Sequence, residues 1–368
     1  MTKLQELANL GQDTWLDYIH RLLITSGELK KMVGQGIRGV TSNPSIFEKA
    51  IAGSSDYDED LKRLVEEGKS VEEIYEQLAI NDIRGAADAL RSLYDQGKGA
   101  KGYVSFEVNP NLAHDTESTI SEAHRLFGMV ERPNVMIKVP ATAAGVKAIE
   151  RLIGDGVNIN VTLIFSLDQY EAVTAAYIGG LEILASTGGD LKKVASVASF
   201  FVSRVDNAVD AVLQNIGNLD LQGKIAVYNA KIAYARFREI FSGERWQKLA
   251  AQGARLQKPL WASTSTKNPA YPDTLYVDNL IGADTVNTIP PATLEAFLHH
   301  GQISESLEHD VAEARDGLDR LAALGVDLSA ITRELQDEGV AAFANSFNDL
   351  MASIAGKRDR FLADPQHI

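Results

Sequence analysis

The sequence contains no cysteine. Disulfides, thiolate metal sites and cysteine nucleophiles are therefore excluded, and the composition fits a reducing compartment. No apolar run approaches the ~18 residues that a membrane helix needs. The start, Met1 to Leu7, shows no basic stretch leading into an apolar one, so no leader is expected and the chain reads as a soluble, cytoplasmic protein. Basic residues are in the minority. With 36 Lys and Arg against 50 Asp and Glu, the net charge of -14 disfavours nucleic acid and membrane partners. An anionic substrate would need a local basic pocket. The seven histidines include no H-E-x-x-H, and the adjacent His299 and His300 face different sides of a helix, so no metal site is expected.

Against this background one cation stands out. Asn134 to Thr142 reads Asn-Val-Met-Ile-Lys-Val-Pro-Ala-Thr, a buried strand with a lysine inside it. Strand side chains alternate, so Val135, Ile137 and Val139 share one face while Met136 and Lys138 share the other. Lys138 therefore points into an interior. Burial disfavours the charged form of an amine and frees the lone pair that attacks a carbonyl, which is Schiff-base chemistry. A lysine neutralised by a buried carboxylate fits the same segment equally well.

Apolar, β-rich runs recur at 13–17, 37–43, 102–108, 135–139, 157–165, 194–202, 259–263 and 285–289, with helical patterns between most of them, for example 142–153, 167–186 and 207–216. Eight such units predict a closed (β/α)8 TIM barrel in a single domain over 1–368. Residues 59–97 read as a helical insertion after the second strand. A helical C-terminal segment is expected over 302–362, with Val340, Phe343, Phe347, Leu350, Met351 and Ile354 on one stripe that reads as core packing. In the fifth strand Val157, Ile159, Val161, Leu163 and Phe165 form an apolar face against Asn158, Asn160 and Thr162; in the third, Val104, Phe106 and Val108 oppose Ser105 and Glu107. Glu107, Lys138, Asn160 and Thr162 should then converge inside the barrel at its C-terminal mouth, with Asp17 ending the first strand and Asn43 the second.

Other motifs fail their context. Gly97, Gly99 and Gly102 satisfy G-x-G-x-x-G but precede a strand, and Gly68-Lys69-Ser70 lacks the first P-loop glycine, Arg63 standing there instead. Asn160-Val-Thr162 matches a glycosylation acceptor inside a buried strand.

The stretches Trp-Leu-Asp17, Gly39-Val-Thr-Ser-Asn-Pro-Ser-Ile-Phe47, Ser105-Phe-Glu-Val-Asn109, Ile137-Lys-Val-Pro-Ala-Thr142, Asn158-Ile-Asn-Val-Thr-Leu-Ile-Phe-Ser166 and Ser199-Phe-Phe-Val-Ser-Arg-Val-Asp206 resemble the transaldolase family, in its longer bacterial branch. The resemblance covers nearly the whole chain. It implies a class I aldolase-type barrel of the nonoxidative pentose phosphate pathway, acting on small sugar phosphates with no cofactor, its helical tail folded back over the active-site face. It leaves the oligomeric state, monomer or homodimer, open.

The resemblance further implies that Lys138 forms an imine with a ketose phosphate such as sedoheptulose 7-phosphate or fructose 6-phosphate. Asp17 is then the base on the C4 hydroxyl, and Glu107 and Thr162 hold the water that moves protons. Asn43 and Asn160 hold the hydroxyls of the dihydroxyacetone unit, while Ser199 and Arg204 hold the phosphate. Bland readings also fit: a cap or loop acid for Asp17, a turn for Asn43, a small filler for Ser199, and an ion pair with Asp206 or Asp210 for Arg204. Where many members of the family carry a second phosphate-binding arginine, this chain reads Ala262-Ser-Thr-Ser-Thr-Lys-Asn268, and Lys267 is the candidate replacement, a point charge without a fork. A fructose 6-phosphate aldolase is the nearest rival, disfavoured by length; at its resembling position a tyrosine stands where this chain has Phe201. A non-catalytic sugar-phosphate-binding barrel is disfavoured by the intact set of Asp17, Glu107, Lys138 and Thr162.

Overall fold

The structure, a computed structural model, describes residues 1–363. Eight parallel strands close in sequential order: β1 (Gln12–Leu16), β2 (Ile37–Val40), β3 (Tyr103–Glu107), β4 (Val135–Pro140), β5 (Ile159–Ile164), β6 (Ser196–Phe201), β7 (Gln257–Ala262) and β8 (Thr285–Ile289), with β8 pairing back onto β1. This is the expected (β/α)8 barrel. Parallel neighbours need crossovers, and the helices between strands supply them. No described helix is long and apolar enough to cross a membrane.

Alternation fills the barrel as expected over most of its height. Lys138 lies opposite Asn160 and Glu107 opposite Lys138, so these residues share the inner face at one level. Below them Trp15 lies against Gly39, where a Cβ would come within 2.5 Å of the indole. Only glycine at 39 lets the ring fill the interior.

Three local departures shape the mouth. In β5, Val161 pairs with Ala198 but Ile164 pairs with Phe200, so β5 carries one extra residue there. Leu163 absorbs it with φ +59°, an unusual conformation for a bulky side chain. The apolar face expected through Leu163 and Phe165 therefore breaks after Thr162: Ile164 takes the outward position and Phe165 packs against Phe201, ring centroids 5.2 Å apart. Next, β1 and β2 end earlier than expected, so Asp17 and Asn43 stand just past their strands. Asp17 N–H still donates to Ile289 O at 3.0 Å. Lastly, the helix expected from 207 spans Ser203–Asn215, and its first N–H, that of Ser203, finds a partner in Ser263 O just past β7. Arg204 thus sits in a first helical turn.

The insertion between β2 and β3 comprises Pro44–Ala52, Asp58–Glu66 and Val71–Gln96. Ser70 caps the last of these in a reciprocal capping box with Glu73, which is the work of the P-loop-like tripeptide. Gly99 and Gly102 turn the loop into β3 with positive φ. The expected C-terminal helix does not begin at Gln302: residues 302–310 are irregular, followed by Val311–Ala323 and Leu328–Ala363. The last helix has 36 residues, about 54 Å at 1.5 Å per residue, enough to cross the barrel mouth. Its stripe does pack as a core: Val340, Phe343, Phe347, Leu350 and Ile354 are buried. Lys357 fixes the far end to Asp58 and to Ser54 O, each at 2.7 Å.

Candidate active site

At the C-terminal mouth of the barrel a pocket of about 160 Å³ opens, and every expected site residue lines it except Glu107. Glu107 stands behind Lys138. The ammonium lies 3.0 Å from Glu107 Oε2, with each side chain only 6% exposed. Lys138 also donates to Ser42 O at 3.0 Å. Oε2 has no geometrically aligned hydrogen bond, so this contact is an ion pair at close range with a lone pair still open. Breaking such a pair by removing one partner costs about 3 to 5 kcal/mol. The pair therefore also fastens the ends of β3 and β4.

Burial holds the Glu107 carboxyl above the usual carboxylate range, against the pull of the Lys138 ammonium. Asp17 is raised too. It is half-buried by surface, but what it faces is the narrow pocket, so desolvation outweighs the lowering by the Thr41 hydroxyl, Lys138 and Lys267. Thr41 Oγ1 donates to Asp17 Oδ1 at 2.8 Å and lies 2.8 Å from Thr288 Oγ1, which fixes the carboxylate on the far side of the pocket from β4. A lysine amine, an adjacent carboxyl and a second carboxyl that can hold a proton thus meet at one narrow pocket.

A hydrogen-bonded chain crosses the interior. Ser199 Oγ donates to Asn160 Oδ1 at 2.7 Å, and Asn160 Nδ2 donates to Ser105 Oγ at 2.9 Å. One amide hydrogen of Asn160 remains for a ligand. Thr162 Oγ1 is buried with no hydrogen-bond partner among the described residues. Asn43 caps the helix Pro44–Ala52, its Oδ1 accepting from Ile46 N–H at 2.9 Å, so the turn chemistry is real and only the amide nitrogen is left over.

The basic side of the pocket is Arg204 and Lys267. Arg204 forms no ion pair or hydrogen bond among the described residues; Asp206 is engaged by Ala226 N–H and Tyr276, and Asp210 by Gly223 N–H and Tyr271. The guanidinium rests over the Phe201 ring at 5.5 Å. Desolvation lowers its proton affinity, with Glu338 opposing. Lys267 is exposed and donates to Ser265 Oγ at 2.6 Å.

The sequence reading missed several lining groups. Thr41 belonged to a recognised tract and could have been found there. Ser263 and Ser265 lay in the quoted stretch Ala262 to Asn268, whereas Thr288 and Phe343 carried no local signal of a pocket role. Phe343, assigned only to packing, holds its ring 5.7 Å from Lys138 Nζ. A second cavity, about 120 Å³, opens at the opposite mouth between Trp15, Tyr103, Met136 and Val197, beside an Asp13–Lys258 ion pair of 3.1 Å. It contains none of the expected site residues. No group of three or more His, Asp or Glu among the described residues could hold a metal ion.

A parallel eight-stranded barrel with a buried lysine, carboxylates and two further cations at the C-terminal ends of its strands has the layout of a barrel enzyme. The transaldolase/fructose-6-phosphate aldolase family matches residues 14–354, and the chain belongs to it. A transaldolase of Thiobacillus denitrificans is 50% identical over 354 residues, covering 95% of this chain and 99% of that protein. One from Trichodesmium erythraeum is 45% identical, with 96% and 97% covered. Transaldolase 1 of Streptomyces avermitilis is 47% identical, with 96% and 94% covered.

Proposed function

We propose that this chain carries transaldolase activity, moving a dihydroxyacetone unit from a ketose phosphate to an aldose phosphate through an imine on Lys138. The observation that carries the mechanism is the Lys138–Glu107 contact of 3.0 Å at the wall of a pocket whose other side holds Asp17. Glu107 takes a proton from the ammonium, and the freed amine attacks the ketone carbon. The carbinolamine loses water, with Glu107 and the unpartnered Thr162 hydroxyl handling the protons. Asp17 then accepts the C4 hydroxyl proton. The C3–C4 bond breaks, its electrons neutralise the iminium, and the first aldose phosphate leaves. The remaining enamine attacks the aldehyde of the second aldose phosphate, Asp17 returns the proton, and hydrolysis frees Lys138.

The unpaired Arg204 guanidinium, in the first turn of the helix Ser203–Asn215, suits the substrate phosphate, with Lys267 as a looser second charge. The spare amide hydrogens of Asn43 and Asn160 suit the hydroxyls of the three-carbon unit. Ser199 takes a different part from direct phosphate contact: its hydrogen is used on Asn160, which it holds in place.

The test is borohydride trapping with fructose 6-phosphate followed by peptide mapping. The adduct is expected on Lys138 and absent from Lys138→Ala. An adduct on Lys147 or Lys267 overturns the assignment.

A further inference from the structure

Gln336 lies in the C-terminal helix Leu328–Ala363, far from the barrel strands in sequence, yet its one amide group reaches two of them. Nε2 donates to Ala141 O at 2.9 Å and to Leu163 O at 3.0 Å. These carbonyls follow directly on the site. Ala141 comes just after the last residue of β4, three positions beyond Lys138, and Leu163 follows Thr162. The last ladder bond between the two strands, Ala141 N–H to Thr162 O at 2.8 Å, lies between them. Beyond it β4 has ended, and Leu163, with its φ of +59°, accommodates the extra residue that β5 carries against β6.

Thr162 points inward by regular alternation with Asn160, and the bulge follows it directly. The bulge separates the inward set that includes Asn160 and Thr162 from the shifted pairing that begins at Ile164. A backbone carbonyl turned out of a ladder needs another donor when it is enclosed. For Leu163 that donor comes from the helix across the mouth. The helix approaches closely because residue 339 is glycine: a Cβ there would stand 2.9 Å from Leu163 Cδ2 and 3.4 Å from Arg204 Nη1.

We infer that Gln336 is a positioning residue for the chemistry at Lys138 and Thr162: by bridging the carbonyls of Ala141 and Leu163 it holds the ends of β4 and β5 together and fixes the backbone on either side of Thr162, so that its hydroxyl stays aimed into the pocket. The inference rests on the roles proposed above for those two residues. Gln336 acts through Thr162, so it governs proton handling during imine formation more than substrate affinity.

Two variants test it. Gln336→Met keeps the length and loses both donors. Gln336→Glu keeps the shape and places a carboxylate against two carbonyl oxygens until protonation restores one donor. The readouts are the single-turnover rate of the borohydride-trapped adduct with fructose 6-phosphate, KM, and the thermal midpoint. Gln336→Met is expected to slow adduct formation about tenfold or more, within the roughly 10²-fold range that small misplacements produce, with KM changed by less than about threefold. In a Thr162→Val background the same substitution should slow the adduct no further while still lowering the thermal midpoint, a non-additivity expected of residues that act as one unit. The Gln336→Glu rate, relative to the native chain, should climb as pH falls from 8 to 5, which gives a reading even where Gln336→Met does not fold. A native adduct rate in Gln336→Met, equal slowing in both Thr162 backgrounds, or a flat pH ratio for Gln336→Glu overturns the inference. Absence of a Lys138 adduct in the native chain, or an unchanged rate in Thr162→Val alone, removes the parent reading and this one with it, and either is visible without any Gln336 variant.

Discussion

Phe343, on the last helix, holds its ring 5.7 Å from the ammonium of Lys138 on β4. The face of an aromatic ring attracts a cation, and it would do so again for the protonated imine. Phe343→Leu keeps most of the apolar bulk and loses the ring, so kcat/KM is expected to fall by about 1 kcal/mol's worth of stabilisation, roughly fivefold. Steady-state kinetics on fructose 6-phosphate check this, and a native value would reduce Phe343 to packing.

Asp17 faces the pocket from beyond β1, held by Thr41 at 2.8 Å. In the proposed mechanism imine formation does not need it, whereas carbon–carbon cleavage does. Asp17→Ala should still give the borohydride adduct and lose on the order of 10² to 10⁴ in turnover. Turnover near that of the native chain would remove Asp17 from the mechanism.

Arg204 is a desolvated cation without a protein partner among the described residues. Arg204→Ala should weaken kcat/KM for phosphorylated ketoses by roughly 2 to 4 kcal/mol, leaving unphosphorylated fructose comparatively unaffected. Equal losses on both substrates would mark the arginine as structural.

Phe201 packs between Phe165 and the Arg204 guanidinium, and it would offer no hydroxyl to the enamine of the proposed mechanism. Steady consumption of fructose 6-phosphate should therefore need an aldose acceptor such as erythrose 4-phosphate, with a single burst in its absence. Phe201→Tyr should raise acceptor-free release of dihydroxyacetone. Sustained release by the native chain alone would favour the aldolase reaction over the transferase.

Asp206 joins three helices: its carboxylate accepts from Ala226 N–H at 2.7 Å and from the Tyr276 hydroxyl at 2.9 Å. Burial, with Asp210 adding to it, pushes this carboxyl up to about 7 despite those two bonds. A folded state that binds the proton more tightly than the unfolded chain gains stability below about pH 4 and loses it as pH rises through 7. At roughly 1.4 kcal/mol per unit the loss is on the order of 4 kcal/mol. Asp206→Asn should therefore gain stability relative to the native chain between pH 5 and pH 8. Urea unfolding at both values measures this, and identical pH slopes for the two proteins would contradict it.

Much of this molecule was decided by residue type and spacing. The period-two pattern around Lys138 placed it on the inner face, and the same parity brought Glu107 and Asn160 to its level, because closure of a parallel barrel turns one face of every strand inward. The repeat of strand and helix specified the barrel itself. Local pattern did not reach further. Nothing in Leu163 announces a left-handed residue, since its bulge is held by a pairing offset with β6 and by Gln336 from a distant helix. The helix starts four residues before its apolar pattern, at Ser203, which bonds the loop after β7, so Arg204 falls in its first turn. Phe343 and Gln336 read as ordinary helix residues. The C-terminal helix lies over the mouth because its buried stripe packs there and Lys357 fastens its far end, and long-range contacts of that kind leave no mark in the spacing of neighbouring residues.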